Sequence, residues 1–62
     1  MNIQLTRVQL GRIGQLVLNT EGGEGVLLTP APIGVVAAVL NSDGDNIATF
    51  LVGVGGEAIL AP

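Results

Sequence analysis

The chain has 62 residues, a net charge of −3 and neither cysteine nor histidine, which excludes disulfides and the common zinc sites as sources of stability. Hydrophobic residues make up 48% of the chain and charged residues only 11%, against roughly 25–35% on the surface of a typical small soluble monomer. Because a domain of this length buries only about 60% of its unfolded surface, we expect one marginally stable domain that is stabilised by association with other chains.

The N-terminal segment predicts an extended arm or a first strand. Residues 2–8 partly alternate between apolar and polar side chains, and the phase then changes at Val8 and Leu10. A β-bulge accounts for that change, and so does a flexible arm that orders against a partner. Residues 11–14 indicate a break, and residues 15–19 form a second strand candidate. We therefore divide the chain into an arm or first strand over residues 1–14 and a small β domain over residues 15–62.

The rest of the chain predicts strands separated by turns. A glycine-rich turn at residues 21–25 precedes a strand over 26–29, which Pro30 and Pro32 exclude from the centre of a sheet. Residues 33–40 and 47–54 are apolar runs that flank a polar turn at 41–46, the pattern of a β-hairpin. Gly55 and Gly56 indicate another turn, followed by a short strand over 57–60. Apolar residues on both faces of these strands favour an all-β fold, a small barrel or sandwich of about five to six short strands with an extended N-terminal arm.

The side chains that usually carry catalysis are scarce. There is no His, Cys, Lys, Tyr or Trp, and general acid–base chemistry would fall to acids that stand mostly in predicted turns. Residues 41–46 place Asn41, Asp43 and Asp45 at alternate positions, as in the start of a calcium loop. However, Asn46 stands where an EF-hand loop requires Gly, and Val52 where it requires Glu. We expect no enzyme, no bound metal and no cofactor.

Partner binding is expected in the N-terminal arm. Arg7 and Arg12 are the two cations of the chain, and they either solubilise the arm or pair with acidic groups on a partner. An extended arm can add a strand to the sheet edge of a partner while its apolar side chains fill grooves in that partner. The predicted partner-binding residues are Ile3, Leu5, Arg7, Val8, Leu10 and Arg12.

Nucleic acids and membranes are not expected as partners. Two cations and one aromatic residue are too few to neutralise phosphates and stack on bases. The longest uninterrupted apolar runs, such as residues 35–40, are far shorter than the ~20 residues of a membrane-spanning helix. Residues 1–7 lack the features of a signal peptide, so we expect synthesis in a cytoplasm without export.

The C-terminal half has a recognisable order of segments. Residues 32–39 read Pro-Ile-Gly-Val-Val-Ala-Ala-Val, residues 48–52 read Ala-Thr-Phe-Leu-Val, and residues 55–60 read Gly-Gly-Glu-Ala-Ile-Leu, with Asp43 and Gly44 in the turn between the first two. This half resembles the C-terminal half of tailed-bacteriophage capsid decoration (cement) proteins, although the chain is shorter than typical members and has a single aromatic residue. The resemblance implies a compact β domain that binds the outside of an icosahedral shell, often as a trimer. It also implies an N-terminal arm, here residues 2–12, that joins a sheet of the capsid protein.

The expected function is therefore that of a virion protein on the capsid surface, made in the cytoplasm of a host bacterium. Its partners would be the major capsid or shell protein and other copies of itself, with a trimer favoured. Residues 53–57 and the strand after them are also similar to the closing segment of bacterial microcompartment vertex proteins, which gives a shell component of another kind as the alternative. A small soluble β module with a regulatory or ligand-binding role is the second alternative.

Overall fold

A computed structural model describes residues 4–61 as one helix followed by a four-stranded antiparallel sheet. Helix α1 spans Arg7–Asn19, and the strands are β1 (Gly25–Ala31), β2 (Gly34–Leu40), β3 (Asn46–Gly53) and β4 (Ala58–Leu60). The strands pair in chain order, β1-β2-β3-β4, so each is joined to the next by a short connection. Helix α1 packs on one face of this sheet, mainly against β2 and β3.

Helix α1 begins at a reciprocal capping box. The Thr6 hydroxyl accepts a hydrogen bond from the Gln9 backbone N–H at 3.0 Å, and the Gln9 side chain accepts one from the Thr6 N–H at 2.9 Å. Two backbone donors that the helix itself leaves unpaired are satisfied in this way. At the other end, the backbone N–H and the hydroxyl of Thr20 both donate to the Leu16 carbonyl.

The sheet is built around the hairpin of β2 and β3. Side chains along β2 alternate between buried and half-buried, so that Val35, Ala37 and Val39 face the helix. The register pairs Val35 with Val52 and Ala37 with Phe50, which brings apolar side chains of both strands to the same face. A register shift between Val39 and Leu40 marks a bulge at the end of this hairpin.

The hydrophobic core lies between α1 and the sheet. Ile13 of the helix is buried against Val35, Ala37 and Val52. Partly buried apolar side chains surround this cluster: Leu5, Leu16, Val26, Leu28, Phe50 and Ala58. The backbones of β2 and β3 approach closely at Gly34, where a Cβ would collide with the Val52 carbonyl oxygen. This close approach helps to form the core.

The predicted all-β barrel or sandwich is wrong in its details, while the small β-rich fold is confirmed. The described residues contain four strands rather than five or six, and these form an open sheet with no closed barrel. From residue 7 onward the expected extended arm, and with it the strand predicted at residues 15–19, is replaced by α1. The boundary placed at residue 14 falls inside this helix, and residues 1–3 of the expected arm lie outside the described residues. The helix covers one apolar face of the sheet. Closure into a barrel or packing of a second sheet was expected to cover that face instead.

The predicted strands after residue 25 are confirmed. The two apolar runs form the β2–β3 hairpin around the turn at residues 41–46, and residues 58–60 form the short final strand. Strand β1 lies at an edge of the sheet, where a proline is tolerated, but it continues through Pro30 to Ala31 instead of stopping at Thr29 as predicted.

Candidate functional site

The sheet has a second face that α1 does not cover. Residues that alternate with the core positions point to this side, and the register aligns them in rows across the strands. One row contains Thr29, Val36, Leu51 and Ile59, and the neighbouring row contains Leu27, Ala38 and Thr49. We call these seven residues, together with Leu40 and Asn46, the open face.

The open face is mostly apolar and carries no charge within the described chain. Leu27 is 61% exposed and Ile59 is 62% exposed, and Val36, Ala38, Leu40 and Leu51 are half-buried by their neighbours. All seven charged side chains of the sequence lie on the helix or in the connections between elements. An uncharged apolar sheet face of this kind is typical of a surface that another body covers.

Two polar side chains of the open face, Asn46 and Thr49, are hydrogen-bonded to each other. The Asn46 Nδ2 donates to the Thr49 hydroxyl at 3.0 Å, and that hydroxyl lies 3.3 Å from the side-chain oxygen Oδ1 of Asn46. Covering these two side chains costs less than covering unpaired polar groups, because they already bond to each other.

A second exposed apolar surface lies on the outer side of α1. Leu10 and Leu18 are exposed there, the latter by 85%, and Arg7, Gly11 and Gly14 lie on the same side of the helix. A Cβ on either glycine would meet no atom within 4 Å. We call these five residues the outer helix side.

The start of α1 is anchored to the turn between β3 and β4. The Arg12 Nε donates to the Gly56 carbonyl at 2.9 Å, and the Thr6 hydroxyl lies 3.5 Å from the Val54 carbonyl. The Val8 side chain packs directly against Gly56, which is buried and has a φ of +90°. This contact joins residues about 45 positions apart in the chain.

The structure divides the predicted partner-binding residues into two groups. Leu5 packs against the hydrophobic core, and Val8 and Arg12 contact the Gly56 turn, so these three serve the fold itself. Arg7 and Leu10 lie on the outer helix side, where they are free to meet another molecule. Ile3 lies outside the described residues.

The open face was not identified from the sequence as a site. Its signal is present in β2, where apolar residues occupy both alternating sets of positions. Such a strand has apolar side chains on two faces, and the helix covers only one of them.

The acidic residues are spread over the connections. Glu21 and Glu24 lie between α1 and β1, Asp43 and Asp45 lie in the β2–β3 turn, and Glu57 lies in the β3–β4 turn. Among residues 4–61 no three His, Cys, Asp or Glu side chains come close enough to hold a metal ion. Nor does any helix in this part of the chain have the length and apolar character needed to cross a membrane.

Comparison of the chain with protein families, curated proteins and solved structures gave no match. We therefore infer function from the surfaces and contacts of the chain itself.

Proposed function

We propose that this chain is a non-enzymatic structural component of a larger protein assembly, and specifically a capsid decoration protein. In this role it strengthens an icosahedral shell by bridging neighbouring subunits of the major capsid protein. It acts as a homo-oligomer on the surface of the virion, after synthesis in the cytoplasm of a bacterial host.

The observation that carries the proposal is the presence of apolar surfaces on opposite sides of a two-layer domain. The open face lies on one side of the molecule, and Leu10 and Leu18 of the outer helix side lie on the other. A protein that bridges two bodies needs two contact surfaces that point apart. This arrangement meets that need in a chain of 6.2 kDa.

The size of the core also supports the proposal. Among the described residues, helix α1 contributes a single buried apolar side chain, Ile13, and the strands contribute Val35, Ala37, Val39 and Val52. A core this small provides little stability on its own, so the chain gains from partners that cover its remaining apolar surface.

The shell contact that we propose differs from strand addition by an arm. Residues 7–19 are helical, so their backbone hydrogen bonds are already made within α1. The outer helix side instead contacts the shell through side chains, with Leu10 and Leu18 as apolar anchors and Arg7 facing acidic groups of the capsid protein.

The proposal is tested by measuring how many copies of the chain accompany purified particles. Particles from the source culture are isolated on a density gradient and quantified by mass spectrometry against the major shell protein. A fixed stoichiometry with many copies per particle is expected. A chain that remains in the small, particle-free fractions would refute the assignment.

A binding assay then tests the surface. Purified chain is added to particles that lack it, and saturation is measured for Leu10→Lys and for Ile33→Lys as the matched control. Ile33 is 70% exposed in the β1–β2 turn and lies outside both apolar surfaces, so its substitution should leave binding unchanged. Equal binding of the two variants would contradict a contact through the outer helix side.

A further inference from the structure

The turn between β2 and β3 joins an exposed aspartate to a glycine. Asp43 and Gly44 are both exposed, and Gly44 has a φ of +85° with open space on the side where a Cβ would stand. In an Asp–Gly pair the glycine nitrogen can reach the carboxyl carbon of the preceding side chain, because no Cβ hinders its approach. Asp45, the other aspartate of the chain, precedes Asn46, whose Cβ hinders the same approach. Asp43 and Gly44 are therefore the pair in this turn that is suited to a reaction within the chain.

The reaction closes a five-membered succinimide ring. The Gly44 nitrogen bonds to Cγ of Asp43, and the carboxyl group takes up one proton from solvent. One carboxyl oxygen leaves as water with that proton and the proton of the nitrogen. Water then adds to either carbonyl of the ring and returns one proton to solvent. Addition at Cγ restores aspartate, whereas addition at the main-chain carbonyl breaks its bond to the nitrogen and leaves isoaspartate, in which the chain runs through the side chain. One water is lost and one is gained, so the mass is unchanged.

Asn41 restrains this reaction in the folded turn. It accepts hydrogen bonds from three consecutive backbone N–H groups: Gly44 donates to its carbonyl at 3.0 Å, and Asp43 and Asp45 donate to its side-chain Oδ1 at 3.0 and 2.9 Å. The Asn41 N–H in turn donates to the Asp45 carbonyl at 2.9 Å. The proton that the Gly44 nitrogen must lose is thus engaged, and the bonds on either side restrict the rotations that would carry this nitrogen to Cγ.

The product does not fit the same turn. Isoaspartate places one more methylene, about 1.5 Å of chain, between the Cα of Asp43 and the nitrogen of Gly44. The three N–H groups that converge on Asn41 cannot all keep their positions with this insertion between them. The turn joins β2 and β3, which carry the buried side chains Val35 and Val52. Isoaspartate at this position therefore weakens the hairpin at the centre of the sheet.

We infer that Asp43 is a site of isoaspartate formation, that Asn41 holds the reaction in check, and that the conversion destabilises the β2–β3 hairpin. Local opening of the turn, rather than unfolding of the whole chain, sets the rate. Asn41 acts here as a positioning residue, since it keeps the Gly44 nitrogen away from the reacting carbon. The inference concerns the chain by itself and is independent of the proposed shell assignment.

The test incubates the purified full chain at neutral pH and physiological temperature. Peptide mapping with electron-transfer fragmentation distinguishes isoaspartate from aspartate at equal mass. Isoaspartate at position 43 should accumulate more slowly in the folded chain than in the same chain unfolded in guanidinium chloride. Asn41→Ala should speed its formation in the folded chain about tenfold, the change in the opening equilibrium expected from two lost hydrogen bonds. Asn41→Asp keeps an acceptor oxygen and should stay close to the rate of the unsubstituted chain.

Thr6→Ala is the matched control, because it destabilises the fold at the start of α1 and leaves the turn intact. Its rate at position 43 should equal that of the unsubstituted chain, and circular dichroism verifies that each variant is folded. Asp45 is the internal reference and should remain aspartate. The isoaspartate form, separated by chromatography, should unfold at a lower Tm than the original.

Three results would overturn parts of the inference. Absence of isoaspartate at position 43 in the unfolded chain would remove the site. Equal rates for Asn41→Ala and the unsubstituted chain, or an equal acceleration by Thr6→Ala, would remove the role of Asn41. An isoaspartate form with an unchanged Tm would remove the effect on the hairpin.

Discussion

Glycine-to-alanine substitutions should have opposite effects at different positions of this chain. Gly11 and Gly14 lie inside α1 with open space around them, so alanine removes a helix penalty at no steric cost. Each substitution should stabilise the fold by about 0.5–1 kcal/mol. Gly44 has a φ of +85° in an open turn, and alanine there should cost about 1–2 kcal/mol from backbone strain alone. Gly56 combines a φ of +90° with the packed Val8 side chain, so its substitution should cost more than that of Gly44.

Thermal unfolding followed at 222 nm measures these differences. For a domain of this length, 1 kcal/mol corresponds to a shift of about 4–8 °C in Tm, so the gain from Gly11→Ala and the losses at the two turns are separable. All variants are compared at one chain concentration, because association makes Tm concentration-dependent. A lower Tm for Gly11→Ala or Gly14→Ala would mean that the outer helix side is occupied in the folded protein. Equal losses at positions 44 and 56 would show that Val8 does not hold the helix on its turn.

Three further substitutions test the cap, the core and the sheet. Thr6→Ala should cost about 1 kcal/mol by removing the capping hydroxyl, and Thr6→Ser should retain most of that stability in urea unfolding. Val52→Ala should cost about 2 kcal/mol because the side chain is fully buried, whereas Val54→Ala, at an exposed position, should stay within about 0.5 kcal/mol. Gly34→Ala should speed amide hydrogen exchange in β2 and β3 by forcing a Cβ against the Val52 carbonyl, and Gly25→Ala, which meets no atom within 4 Å, should leave exchange there unchanged.

The β2–β3 hairpin could be predicted because its signals are local. Two apolar runs of strand length flank a turn rich in Asn and Asp, and no competing element is long enough to fit. Pro30 likewise placed β1 at an edge, since a residue without a backbone N–H is excluded from the centre of a sheet.

Helix α1 was missed because its signals conflict. Gly11 and Gly14 are poor helix residues and indicate a break, and one position of the buried stripe is the polar Gln9. Yet the sequence from Thr6 to Gln9 fits the capping-box pattern, and Leu5, Gln9, Ile13 and Leu16 recur at helical spacing. Packing against the sheet stabilises the helix by more than the two glycines destabilise it. The free energy of that packing cannot be predicted from the sequence of the helix alone.

The open face could not be assigned before the helix was placed. Apolar residues on both sides of a strand are equally compatible with a closed barrel, a stacked sheet or a sheet with one covered face. Which of these three folds forms depends on what packs against the sheet. In this chain the segment that packs there is α1, which was predicted as an arm and a strand rather than as a helix. Once α1 occupies one side, the same alternation along β2 identifies the other side as uncovered.

The anchor of α1 on Gly56 has a consequence for biosynthesis. Residues 7–19 leave the ribosome before residues 54–56, but an isolated helix of 13 residues with two internal glycines is unstable in water. Its docking partner is the turn at residues 54–56, and Gly56 of that turn is translated 44 positions after Arg12. Native structure therefore forms only after residues 54–56 have left the ribosome, and nascent copies remain open to chaperones until then.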